Sequence, residues 1–236
     1  MKIEASKPRP TSRWQLFRRR QVLLPTWRGW LLALALAALV AFGLFRGAYP
    51  FLAVDAPVPG GILIVEGWGS DEVMRQTAAR FRETQAENHA DFKKVLVTGG
   101  VVELGGPLII YKTYAELGTA ILLKNGLTTN EVEAVPAPFV QRDRTFAAAV
   151  SLKHWLDSHQ VDGKAINLIT VGPHARRSRL LFQKALGKEY KIGVISLALT
   201  DYDPKHWWRS SSGVRIVTSE LLAYGYARFW FKPSRM

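Results

Sequence analysis

The chain has 236 residues, no cysteine and a formal net charge of +13. Without thiols it holds no disulfide, no thiolate metal site and no cysteine nucleophile. Residues 1–46 carry nine of the 32 bases and one of the 19 acids, so +8 of the +13 lies there, which argues against a nucleic-acid surface on the remainder.

The first predicted element is the charge-free run GWLLALALAALVAFGLF, residues 29–45. Seventeen helical residues span roughly 25 Å, the short end of what crosses a bilayer core, and apolar residues continue past Arg46. Eight bases and one acid precede the run, whereas Arg46 is the sole base between Phe45 and Met74. The positive-inside rule therefore predicts a basic cytoplasmic segment (1–28), a single-pass anchor (29–49) and everything later across the membrane. The localisation expected is the bacterial inner (plasma) membrane, with contact to its lipids through the anchor. A cleaved signal peptide and a buried core helix are the alternatives. The first conflicts with the long basic segment, and the second with the absence of a polar face.

Residues 50–61, PFLAVDAPVPGG, read as a short extended tether with three prolines and two terminal glycines. Five strands are then predicted at 62–65, 94–98, 131–135, 166–171 and 191–197, three of them nearly continuous apolar runs. Helical patterns separate them. Ser70-Asp71-Glu72 opens one, Pro107 lies near the start of another running to Lys124, and Phe146, Ala149, Leu152 and Leu156 mark one face of a third. Gly126, Gly163 and Gly187 each sit where a helix stops. A final helix spans about 214–231, and its aromatic end (Tyr224, Tyr226, Phe229, Trp230, Phe231) is expected to pack on the sheet, the alternative being that it rests on the membrane interface. The order predicts a three-layer, Rossmann-like α/β domain over 62–231 with a mainly parallel sheet, followed by a tail at 232–236.

Parallel α/β sheets bind ligands beyond the carboxyl ends of their strands. Those positions hold Glu66-Gly67-Trp68-Gly69, Thr98-Gly99-Gly100, PAPFVQRDRT (136–145) and GPHARRSR (172–179). Glycine N–H groups, helix N-termini, hydroxyls and an Arg/His cluster together suit an oxyanion such as phosphate. Gly67, Thr98, Gly99, Gly100, Arg144, Thr145 and Arg177 are the candidate ligand-binding residues. His174 is the candidate general acid/base because imidazole titrates near neutrality. Glu66 or Glu116 would orient it or activate water. No metal site is expected, since the five histidines lack ligand spacing, and no cofactor is implied.

Several of these segments form a familiar series: Val65-Glu66-Gly67, VLVTGG (95–100), Tyr114-Ala115-Glu116 with Asn125-Gly126, Arg144-Thr145, ITVGPHARRSRLLF (169–182), Trp208 and Ser219 to Tyr224. In order and spacing the chain from about 62 to 230 resembles the ElyC/SanA/YdcF family of envelope-associated domains of unknown function. It departs from the family at Arg144, where asparagine is usual, at Glu66-Gly67-Trp68, and at Gly105-Gly106-Pro107. The resemblance implies a role in envelope integrity or cell-wall precursor metabolism, acting on a phosphorylated or otherwise anionic ligand, small or lipid-linked. A phosphoryl hydrolase or transferase and a non-catalytic envelope sensor or scaffold both fit. A nucleotide- or S-adenosylmethionine-binding protein fits less well, because GxGxxG is missing after the first strand.

Overall fold

The computed structural model describes residues 24–86, 94–103, 110–161, 163–198 and 201–233. The expected cytoplasmic segment up to residue 23, the segment holding Gly105-Gly106-Pro107 and the last three residues lie outside these. The chain divides into two compact units, 1–44 and 45–236.

The first helix, α1 (Trp27–Leu52), has 26 residues and is long and apolar enough to cross a membrane. It is longer than the expected anchor. In the first unit its leucines are exposed, as are Trp27 and Trp30. Its last eight residues belong to the second unit, and there the extended-tether expectation fails. The helix continues through Pro50, and Leu52 is wholly buried with Tyr202, Trp207 and Val217. Beyond it, Ala56 exchanges two backbone hydrogen bonds with Val194, at 2.8 and 3.1 Å. The buried amide of Asn167 then accepts from the Val58 N–H and donates to the Val58 and Gly60 carbonyls, at 2.8–2.9 Å. Apolar side chains and this amide turn the expected tether into part of the domain.

The sheet is five-stranded and all parallel, in the order β3-β2-β1-β4-β5. The strands are β1 (Ile62–Glu66), β2 (Val95–Gly99), β3 (Val132–Pro136), β4 (Ala165–Val171) and β5 (Lys191–Leu197). Central β1 pairs Ile64 with Leu96 on one side and Leu168 on the other. One face of the sheet, through Leu63, Val65 and Val97, buries Val73, Met74 and Phe81 of α2 (Asp71–Ala86) and Leu122 of α3 (Tyr114–Lys124). The other face, through Ile64, Leu96 and Leu168, buries Leu152 of α4 (Arg144–Ser158) and Phe182 of α5 (Ala175–Leu186). Alternate side chains of each strand thus feed separate cores, as a doubly covered parallel sheet requires.

Helix α3 begins at Tyr114, not near Pro107. The Thr113 hydroxyl accepts from the Glu116 N–H, and the Glu116 carboxylate accepts from the Thr113 N–H, a capping box that fixes the start. The last helix, α6 (Ser211–Phe229), lies beside α5. The aromatic end does not pack on the sheet: Phe231 is buried against Phe146 of α4 and Leu181 of α5, Tyr224 is half-buried beside Val217 and Trp207, and Phe229 and Trp230 are 74% and 71% exposed. Helix period explains the split, since Val217 and Ala227 face inward while Leu222 and Phe229 share the opposite side.

Candidate functional site

The strand order reverses between β1 and β4, so the loops leaving these two strands diverge and open a crevice at their carboxyl ends. A cavity of about 640 Å³ lies there. Its floor comes from Glu66, the last residue of β1, and from His174, which follows β4 in a short 3₁₀ turn.

These two buried residues belong to a quartet of ionisable groups completed by half-buried Arg177 and Glu220. His174 Nδ1 lies 2.8 Å from Glu220 Oε1, and its Nε2 lies 3.6 Å from Glu66 Oε1. Arg177, three residues on and therefore on the same side of α5, donates to both Glu220 oxygens, at 2.8 and 3.0 Å. Glu66 also accepts from the hydroxyls of Thr170 and of Ser178, the latter at 2.9 Å. Two carboxylates thus meet one imidazole and one guanidinium.

Burial alone would favour the neutral form of each group. For His174 it pulls the pKa down, but the Glu66 charge and the Glu220 hydrogen bond outweigh it and push the imidazole up to about 9. Burial would raise Glu220, yet hydrogen bonds from His174 and Arg177 hold it down at about 2. Glu66 is likewise desolvated and still lies below the usual carboxylate range, through the His174 charge and the two hydroxyls. At neutral pH the quartet is charged and internally balanced. His174 Nδ1 lies within hydrogen-bond distance of both Glu220 Oε1 and Arg177 Nη2, at 2.8 and 2.9 Å, while the buried Nε2 has no hydrogen-bond partner and faces Glu66 Oε1 at 3.6 Å.

The opposite wall comes from the end of β2, the segment that follows β3 and the start of α4. Gly99 and Gly100 pass so close to α3 that a Cβ on Gly99 would lie 2.7 Å from the Ala115 nitrogen. Gly67 is constrained similarly: a Cβ there would meet the Tyr114 carbonyl oxygen at 2.2 Å. Thr98 and Thr145 line the cavity, and the Thr98 hydroxyl lies 3.5 Å from the Val65 carbonyl. Arg144 also lines it, 61% exposed and 3.3 Å from Glu103. Neighbouring Asp143 takes a left-handed backbone (φ 58°), which turns the chain into α4 at the cavity edge.

The structure thus brings together around one cavity Glu66, Thr98, Gly99, Gly100, Arg144, Thr145, His174 and Arg177. Gly67 instead seats the β1 loop against α3, its N–H donating to the Thr98 carbonyl at 2.7 Å. Glu116 is placed in the α3 cap, its carboxylate also accepting from the Lys112 N–H. Sequence reasoning named Glu220 only within the Ser219–Tyr224 segment of the family resemblance and did not place it in the site, where it joins His174 to Arg177. Its one local signal is that it is the single acid of α6 and lies on the helix side that carries Gly213 and Ala227. Among the described residues, no group of three or more His, Asp or Glu side chains is placed to hold a metal ion. Comparison with protein-family models, curated proteins and solved structures finds no match.

Proposed function

We propose that this protein is a membrane-anchored domain on the outer side of the bacterial plasma membrane, binding a phosphorylated envelope metabolite and hydrolysing or transferring its phosphoryl group. The observation that carries this reading is His174 at the cavity floor, set between Glu66 and Glu220, whose carboxylates favour its protonated form, and with no hydrogen-bond partner on its Nε2. A group protonated at neutral pH is suited to act as a general acid. In hydrolysis, water attacks phosphorus, the bond to the leaving oxygen breaks, and that oxygen takes the Nε2 proton. The attacking water's proton then restores the imidazolium. Glu66 and Glu220 orient the ring from opposite sides, and Arg144 with exposed Arg142 draws the anion to the rim.

The outer-side placement is supported by the basic segment before α1, and the envelope setting by the resemblance to ElyC/SanA/YdcF domains. One observation favours a sensor without turnover: every member of the quartet already has an internal partner of opposite charge. Release of inorganic phosphate from glycerol phosphate by the full chain in phosphatidylcholine nanodiscs separates the two. Loss of at least 100-fold in turnover for His174→Gln, assayed below its lowered melting point and with inorganic phosphate affinity within threefold, supports catalysis. Binding without turnover in the unsubstituted chain supports the sensor, and no phosphate binding removes both.

A further inference from the structure

The cavity is several times larger than a phosphate needs and falls in the range of small-molecule sites. Its aromatic wall indicates what else it takes. Trp68 follows β1 directly, lines the cavity and is 41% exposed, unusual for so large an apolar ring beside a buried ion cluster. Its position is fixed on both sides. Gly67 donates to the Thr98 carbonyl, Gly69 donates to the Glu66 carbonyl at 3.2 Å, and a Cβ on Gly69 would clash with Val73 at 2.8 Å. The indole meets the His174 ring edge to face, with centroids 4.9 Å apart and planes at 77°. A rigid, half-open indole therefore stands beside the proposed proton donor.

Around the same space stand groups that pair with hydroxyls: the Gln141 amide, the Asp143 carboxylate and the Thr145 hydroxyl, all lining the cavity. We infer that the ligand is a phosphorylated sugar, whose apolar C–H face lies on Trp68 while its hydroxyls meet Gln141 and Asp143. The inference rests on the anion reading above and adds the ring. A nucleobase would also stack on an indole, but it offers fewer hydroxyls to a wall of this composition.

Isothermal titration of the full chain in phosphatidylcholine nanodiscs tests this with inorganic phosphate, glucose 1-phosphate and adenosine monophosphate. The sugar phosphate should bind at least tenfold more tightly than phosphate and more tightly than the nucleotide. Trp68→Ala should cost the sugar phosphate about tenfold, with phosphate within twofold, and Trp68→Phe should retain most of the affinity. Because Trp68 is half exposed, melting should hold in both variants. Phosphate binding with no gain from the sugar, equal losses for both ligands in Trp68→Ala, or tighter binding of the nucleotide each overturns the sugar inference and leaves the anion reading in place. Failure of all three ligands to bind overturns both.

Discussion

The two sides of the strand-end cavity are built differently. On the β1/β4 side, Glu66, His174, Arg177 and Glu220 are withdrawn from solvent, and each charge is compensated by another member. On the β2/β3 side, Gly99 and Gly100 bring backbone to the edge, while Arg142 and Arg144 stand in solvent. The first side has the properties of a charge centre whose state is set by the fold; the second has those of a surface that meets a ligand. Desolvation makes the difference, since a buried ion is costly without its partner and an exposed one is not.

The largest effect should come from splitting the buried side. Glu220→Ala leaves two cations facing one carboxylate, and we expect a loss of about 3–5 kcal/mol in chemical denaturation, with the His174 pKa lowered. Next is Leu52→Ala, at about 2–5 kcal/mol, because the end of α1 is core. Trimming the chain to start at residue 55 should destabilise the domain by more than starting at 45, which a comparison of melting temperatures checks.

The pH response should separate the sides further. Stabilisation from the raised His174 pKa is complete below its ordinary value near 6.5 and is lost as pH rises through about 9. Stabilisation from Glu220 is complete above the ordinary carboxylate value and is lost as pH falls through about 2. Denaturation midpoints should therefore be highest between about pH 4.5 and 6.5, with an alkaline decline that His174→Gln removes. On the open side, Arg144→Ala should change stability by less than about 0.5 kcal/mol while weakening phosphate binding several-fold. The smallest effect on the ligand should come from Glu116→Ala, which costs about 1 kcal/mol through the lost cap and leaves phosphate affinity unchanged.

Much of the open side was legible in the sequence, because strand ends followed by Thr98-Gly99-Gly100 and by Arg144-Thr145 are local patterns. The parallel sheet was legible for the same reason, in apolar runs such as Val95 to Val97. The buried side was legible only by half. His174 and Arg177 share one helical turn, but Glu220 reaches them from 43 residues beyond Arg177, and only tertiary packing of α6 on α5 shows the pairing. Local reading erred at 50–61, where prolines suggested a tether that Leu52 and Asn167 convert into core. It also assigned Glu116 to chemistry through the resemblance of Tyr114-Ala115-Glu116 to a Glu-bearing helix, whereas the neighbouring Thr113 commits it to a cap.

The central claim is that His174 is held protonated at neutral pH on the floor of an anion-binding cavity. Nuclear magnetic resonance of the nitrogen-15 histidine-labelled full chain in nanodiscs, assigned by His174→Gln, reads this directly. An imidazole titrating near pH 9, with its Nε2–H resonance shifted when inorganic phosphate is added, is the result expected. Titration at or below about 6.5 with no response to phosphate would contradict the account.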